Sequence, residues 1–176
     1  MNSKQTAYEV PFDQPEFGAV RQVLGSLDAR GLRVGIVSSR YNASFTTRLV
    51  EGAVSALLEH GASEEDVTVV WVPGAYEVSS AADRLARTGT VDAVIAIGVV
   101  IQGETTHAQL INQQVSQSLA AIARQQNLPV LDGVVPAENV AQAEARCQTG
   151  REGRGWYLGC AAIEMARVFQ KLEASS

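Results

Sequence analysis

Ala93-Val94-Ile95-Ala96-Ile97-Gly98-Val99, continued by Val100-Ile101-Gln102 and closed by Gly103-Glu104-Thr105-Thr106-His107, is the stretch on which the fold turns. Its first part is unbroken apolar sequence, dense in β-branched residues and too short for a membrane span; it reads as a strand covered on both faces. The polar turn Gly103 to Thr106 then opens a helix, because Ile111, Val115, Leu119 and Ile122 return at helical spacing. A strand, a tight turn and a helix in that order form half of a βαβ unit.

The same alternation extends in both directions. Short β-branched runs occur at Arg33–Ser38, Val67–Val72 and Pro129–Val135. Between and after them lie helical stripes: Phe45, Leu49, Ala53 and Leu57; Val78, Ala81, Ala82 and Leu85; and Leu158, Ala161, Met165, Val168 and Leu172. His60-Gly61, Thr88-Gly89 and Asn127-Leu128-Pro129 supply helix stops, and Ser44 and Thr106 are candidate N-caps. Four strands alternating with long helices predict a parallel sheet with right-handed crossovers. The expected architecture is a three-layer α/β sandwich: a flavodoxin-like, four-stranded parallel sheet with helices on both faces. Residues 1–18, polar and carrying Pro11 and Pro15, are expected to be a flexible or partner-bound arm, and residues 19–176 a single domain. Val20, Val23, Leu24 and Leu27 also fall at helical spacing, although Gly25 opposes a helix there.

Bulk properties exclude several classes of function. The chain has 176 residues, enough for one domain with a real core, and 46% hydrophobic and 19% charged residues, close to the average for globular domains. A net charge of −5 with 14 scattered basic residues argues against nucleic acid. No run approaches the roughly 20 apolar residues of a transmembrane helix, and Met1–Val10 lacks the order of a secretory signal. Cys147 and Cys160 have no CxxC spacing, and two histidines cannot build a His-rich metal site; a disulfide is open to the pair but unforced, and reduced thiols in the cytoplasm are expected.

In an open parallel sheet, ligands bind beyond the carboxyl ends of the strands. The segments that follow the four strands are Ser39-Arg40-Tyr41-Asn42, Pro73-Gly74-Ala75-Tyr76-Glu77, Val100 to His107, and Pro136-Ala137-Glu138-Asn139, all rich in groups able to hold a polar, planar ligand. Gly103 to Thr106 combines free N–H groups, the positive end of a helix and two hydroxyls, which suits an anion. Read alone, it suits an ordinary helix start equally well. A lone histidine is more often structural, but His107 stands beside this seat, where a proton shuttle working near neutral pH is useful. Glu77 could cap backbone N–H groups or bind ligand hydroxyls. Arg146, Arg151 and Arg154 flank glycines in a turn that reads as a solvated loop or a phosphate site.

Taken together and in order, Ile36 to Asn42, Leu49 to Ala53, Val72 to Glu77, Gly98 to His107 and Glu138 to Arg146 resemble the 6,7-dimethyl-8-ribityllumazine synthase family over roughly residues 24–172. The resemblance implies condensation of 5-amino-6-(D-ribitylamino)pyrimidine-2,4-dione with 3,4-dihydroxy-2-butanone 4-phosphate, a transferase reaction of riboflavin synthesis, with no cofactor and no metal. It implies that His107 transfers protons. Tyr41 would stack on the pyrimidine, with Asn42 beside it; Ala75, Tyr76 and Glu77 would contact the ring and ribityl chain, and Val100 and Ile101 would read the ring edge. Gly103, Glu104 and Thr105 would seat phosphate together with Arg146, and Asp132 and Arg154 would complete the substrate pocket.

This sequence departs from the family pattern at several positions. Asp132 stands where an aromatic or apolar residue is common, and a carboxylate there would cost about 1–3 kcal/mol in lost stacking and added repulsion. Pro136-Ala137 replaces a Thr-Thr pair, Gln102 a frequent arginine, Ala108-Gln109-Leu110 an aromatic-Asp-aromatic run, and Gly150 a frequent lysine. The resemblance further implies homopentamers, able to assemble into icosahedral shells, with Arg146 and Asp132 contributed across subunits and the segment before the first strand extended onto a neighbour's sheet. The alternative is a flavin- or lumazine-binding, or shell-forming, paralogue with weak catalysis.

Overall fold

The computed structural model describes residue 8 and residues 12–174. Strands β1 (Val34–Ser39), β2 (Val67–Val72), β3 (Ala93–Ile101) and β4 (Val130–Ala137) form one sheet in the order β2-β1-β3-β4, with every pair parallel. Helices α1 (Ala43–Glu59), α2 (Ala75–Ala86), α3 (His107–Gln126), α4 (Val140–Arg146) and α5 (Arg154–Glu173) connect and follow them, and Glu64–Asp66 form a short 3-10 turn before β2. The expected α/β sandwich is therefore the observed one.

Alternation along the strands divides the core between two layers. Val34, Ile36, Ile95, Ile97 and Val135 face α1 and α5, where they meet Leu49, Leu57, Leu158 and Ile163. Val37, Val94, Ala96 and Val134 face the opposite way and meet Val78, Val115 and Leu119 of α2 and α3. Both central strands are buried on both faces, as an unbroken apolar run requires. Strand β2 departs from that pattern. It lies at the sheet edge and is only partly covered, with Trp71 43% exposed.

Three boundaries move relative to the sequence reading. β3 continues through Val100 and Ile101, and β4 through Pro136 and Ala137, because the two strands keep their register to the end: Val100 opposite Pro136 and Ile101 opposite Ala137. Pro136 is tolerated because β4 is an edge strand and can lose an N–H on its open side. Ser44 lies inside α1, and the N-cap is Asn42, in the left-handed region at φ 60°. Thr106 does stand at the N-cap of α3, but its side chain makes no capping bond.

The stripe Val20 to Leu27 forms no helix. A Cβ at Gly25 would come within 2.2 Å of the Glu164 carbonyl oxygen, so this segment lies tightly against α5 as irregular chain. Lys171 donates to the Leu24 carbonyl, and Arg167 to those of Asp28 and Arg30, which supplies partners that a helix would have provided internally. Val20 remains 64% exposed. Of the expected arm, residues 1–7 and 9–11 lie outside the described residues; Tyr8 rests on Tyr157 and donates to Glu164 Oε2 at 2.7 Å.

Arg33 and Asp92 clamp the entry to β1 and β3. The Asp92 carboxylate accepts from the Arg33 N–H at 2.8 Å and from its guanidinium at 2.9 Å. Burial pushes the Asp92 carboxyl up, but the Arg33 hydrogen bonds and charge outweigh it and hold the group below the usual carboxylate range. A depressed folded-state pKa stabilises the fold above the unfolded value, and this stabilisation disappears as pH falls through the folded value. Asp92→Asn should cost about 1 kcal/mol at neutral pH and flatten the loss of stability below about pH 4. Urea unfolding at neutral and acid pH measures both, and equal pH slopes for the two proteins would refute the clamp.

Candidate functional site

The sheet order places a switch point between β1 and β3, whose outgoing connections diverge to opposite sides; in such sheets the crevice above that point is the usual ligand site. A cavity of about 480 Å³ opens there. Three loops build it: Tyr41 and Asn42 after β1, Gly74 to Glu77 after β2, and Val99 to His107 at the end of β3, with Ala108 and Ile111 on α3 below them.

Backbone bonds lock these loops together. Arg40 N–H donates to the Val72 carbonyl at 2.7 Å and Tyr41 N–H to that of Pro73 at 3.0 Å, tying the first loop to the second. The Asn42 side-chain amide donates to the Val99 carbonyl at 2.8 Å, tying the first loop to the third. Asn42 lines the cavity, with its side-chain N–H committed to the framework. With those ties made, Tyr41 and Tyr76 project outward, 73% and 57% exposed, as apolar platforms without cover in the single chain. Gly98 lets the second loop approach β3: a Cβ there would lie 3.1 Å from that of Ala75.

Glu77 is the third residue of α2, whose N-cap is Gly74. A Cβ at Gly74 would lie 2.9 Å from Glu77 Oε2, so the carboxylate folds back over the glycine into the cavity. Among the described residues it makes no side-chain hydrogen bond, which leaves its oxygens available to ligand hydroxyls and removes the capping reading. His107 opens α3, with its N–H 3.4 Å from Thr105 Oγ1 and its ring at the cavity wall. Ahead of it, Gly103 and Thr105 line the same wall. The turn they belong to precedes a helix of 20 residues, so its unpaired N–H groups and the helix dipole favour an anion.

Of the residues singled out in the sequence, Tyr41, Asn42, Ala75, Tyr76, Glu77, Val100, Ile101, Gly103, Thr105 and His107 meet at this one cavity. Glu104 belongs to the turn but does not line it. Asp132, Arg146 and Arg154 are elsewhere. Asp132 is paired with Ala96, well before the strand ends, and its carboxylate accepts from the Val134 N–H at 3.0 Å. Arg154 donates to the Asp132 carbonyl at 3.1 Å, so these two form a separate group at the outer edge of β4. Arg146 ends α4 and is exposed. Gly74, Val99, Ala108 and Ile111 also line the cavity without having been picked out; Gly74 could have been, since it precedes a helix start in a loop already suspected.

Neither cysteine is suited to attack a substrate. Both are buried, and burial pushes the Cys147 thiol up and that of Cys160 up to about 11. Among the described residues no group of three or more His, Cys, Asp or Glu side chains could hold a metal, and no helix is long and apolar enough to cross a membrane.

Comparison with known proteins bears directly on this geometry. The family model for 6,7-dimethyl-8-ribityllumazine synthase matches residues 31–170. A protein of that name from Aquifex aeolicus (strain VF5) is 46% identical over 148 residues, which cover 84% of this chain and 96% of the relative.

Proposed function

This chain belongs to the 6,7-dimethyl-8-ribityllumazine synthase family, and from that membership we propose how its residues divide the work of the reaction. The activity is a transferase reaction of riboflavin biosynthesis. The 5-amino group of the ribitylaminopyrimidinedione condenses with the carbonyl of 3,4-dihydroxy-2-butanone 4-phosphate; phosphate and water depart, and ring closure gives the lumazine. The observation that supports the assignment of roles is the convergence of His107, Glu77, Tyr41 and the Gly103–Thr105 turn on one cavity at the switch point.

Tyr41 stacks on the pyrimidine ring, while the strand-end backbone of Val100 and Ile101 reads its polar edge and Ala75 and Tyr76 bound it. Glu77 accepts from ribityl hydroxyls. The Gly103–Thr105 turn, with Glu104 in its backbone, receives the phosphate. His107, next to that seat, takes and returns the protons that move as imine forms, phosphate leaves and the ring closes. Each of these steps separates charge, and a positioned imidazole lowers the cost of doing so.

Arg146, which we assign to the phosphate, does not line the cavity of its own chain. We therefore read the active form as a homo-oligomer, a pentamer in keeping with the family, in which a neighbour's Arg146, Asp132 and Arg154 face this chain's Tyr41 and His107. The unit that assembles is the domain that begins at residue 19. The experiment that tests sharing is subunit mixing. His107→Ala and Arg146→Ala proteins, each nearly inactive, are unfolded together and refolded in equal amounts. Random pairing puts an intact His107 opposite an intact Arg146 at about one interface in four, so roughly a quarter of wild-type turnover should return. A mixture no more active than its parents would exclude a shared site.

A further inference from the structure

We propose that Gln102 is a positioning residue for the phosphate-bearing substrate, acting from outside the cavity on the turn that seats the anion; this rests on the assignment of Gly103–Thr105 as that seat. Gln102 does not line the cavity, whereas Gly103 and Thr105 on either side of the turn do. Its own backbone is fixed, with its N–H donating to the Ala137 carbonyl at the end of β4 at 2.7 Å. From that anchor the side-chain amide donates to the carbonyl of Gly103 at 2.8 Å and to that of Thr105 at 2.5 Å. A primary amide has two N–H donors, so each carbonyl can take one.

The consequence follows from the planarity of the peptide bond. In a trans peptide, the carbonyl of one residue and the N–H of the next point in opposite directions. Holding the Gly103 and Thr105 carbonyls toward Gln102 therefore turns the N–H groups of Glu104 and Thr106 away from it. Among the described residues neither N–H has an intramolecular partner. The amide also neutralises two carbonyl dipoles that would otherwise be free to swing toward the phosphate and repel it. Gln102 thus sets which side of the turn is positive, and it does so without touching substrate. Gly103 needs this help, because a glycine with open space around its Cβ position imposes no conformation of its own.

The test compares Gln102→Leu, which removes both donors, with Gln102→Arg, which keeps N–H donors of sufficient reach. Gln102→Leu should raise KM for the butanone phosphate about tenfold, the scale of one or two lost charge-directed hydrogen bonds, and weaken inhibition by inorganic phosphate in parallel. KM for the pyrimidine and the melting temperature should stay near wild type, and Gln102→Arg should recover most of the loss. An unchanged KM for the butanone phosphate would overturn the proposal. So would equal rises for both substrates with a lowered melting temperature, or a Gln102→Arg protein no better than Gln102→Leu. Thr105→Val checks the seat separately. If it raises that KM and Gln102→Leu does not, the seat stands and the positioning role falls; if neither does, the phosphate binds elsewhere. Should Gln102→Leu fold poorly, Gln102→Met, unbranched, uncharged and of similar length, also removes both donors and carries the same test.

Discussion

Replacing His107 with alanine is expected to lower kcat by about a hundredfold while changing KM for either substrate little, because a positioned general acid–base group contributes on that order to the transition state and not to binding. His107 is placed for this by α3, whose first turn it opens, and by the Thr105 side chain beneath its N–H. Within one chain, the other ionisable groups of the described cavity are Glu77 and the exposed tyrosines Tyr41 and Tyr76. None of them follows directly on the Gly103–Thr106 turn as His107 does. Stopped-flow absorbance at the lumazine band would separate the two parameters. A fall in affinity with kcat preserved would recast His107 as a binding group, and unchanged turnover would remove it from the reaction. His107→Gln should be nearly as slow as His107→Ala, since an amide keeps polarity and hydrogen bonding but cannot accept and return a proton.

The largest loss of stability is expected where α1 crosses α5. Three glycines bring these backbones together. A Cβ at Gly155 would lie 2.3 Å from the Leu49 carbonyl oxygen, one at Gly159 would lie 2.7 Å from that of Ala53, and one at Gly52 would lie 2.9 Å from the Trp156 nitrogen. The obstructing atoms are mostly backbone, held by helix hydrogen bonds, and cannot rotate aside as a side chain end would. Gly155→Ala should therefore destabilise the fold by about 3 kcal/mol through overpacking, even though alanine is favoured over glycine by about 1 kcal/mol in a helix interior. Gly103→Ala is the matched control: nothing lies within 4 Å of its Cβ position, so its unfolding midpoint should stay near wild type. Equal midpoints for the two variants would show that the crossing relaxes freely. The strain should also reach function, because α5 begins at Arg154 and a displaced α5 moves that guanidinium.

Much of this was legible in one dimension. The apolar run at Ala93 and its three counterparts marked the strands, although burial on both faces explains that pattern only for the central pair and not for the partly covered edge strand β2. The helical stripes marked α1, α2, α3 and α5, because each presents one face to the sheet. The short helix α4 showed no stripe of its own: of its residues only Ala143 is fully buried, and its start is set locally by Asn139, which accepts from the Gln142 N–H at 2.9 Å. The false stripe at Val20 to Leu27 had helical spacing, but periodicity records only where apolar residues recur and not whether a face exists to receive them. Here the segment runs as irregular chain, pressed so closely on α5 at Gly25 that no Cβ fits there.

The candidate site divides in the same way. That His107, Glu77, Tyr41 and the Gly103 turn belong near strand ends follows from chain order and from the behaviour of parallel sheets; their residue types alone suited structural roles as well, and the family resemblance is what singled them out. Their meeting in one cavity depends on strand order β2-β1-β3-β4, which brings segments more than 30 positions apart in sequence onto adjacent carboxyl ends. Folding also set what no local pattern encodes: that the amide of Asn42 turns inward to Val99 while Gln102 grips the turn from behind. It likewise placed Arg146, Arg154 and Asp132 outside this chain's cavity. Local sequence specifies what each segment becomes, through burial periodicity and caps. Which segments become neighbours is settled by long-range packing, whose free energy belongs to contacts and to no single stretch of chain.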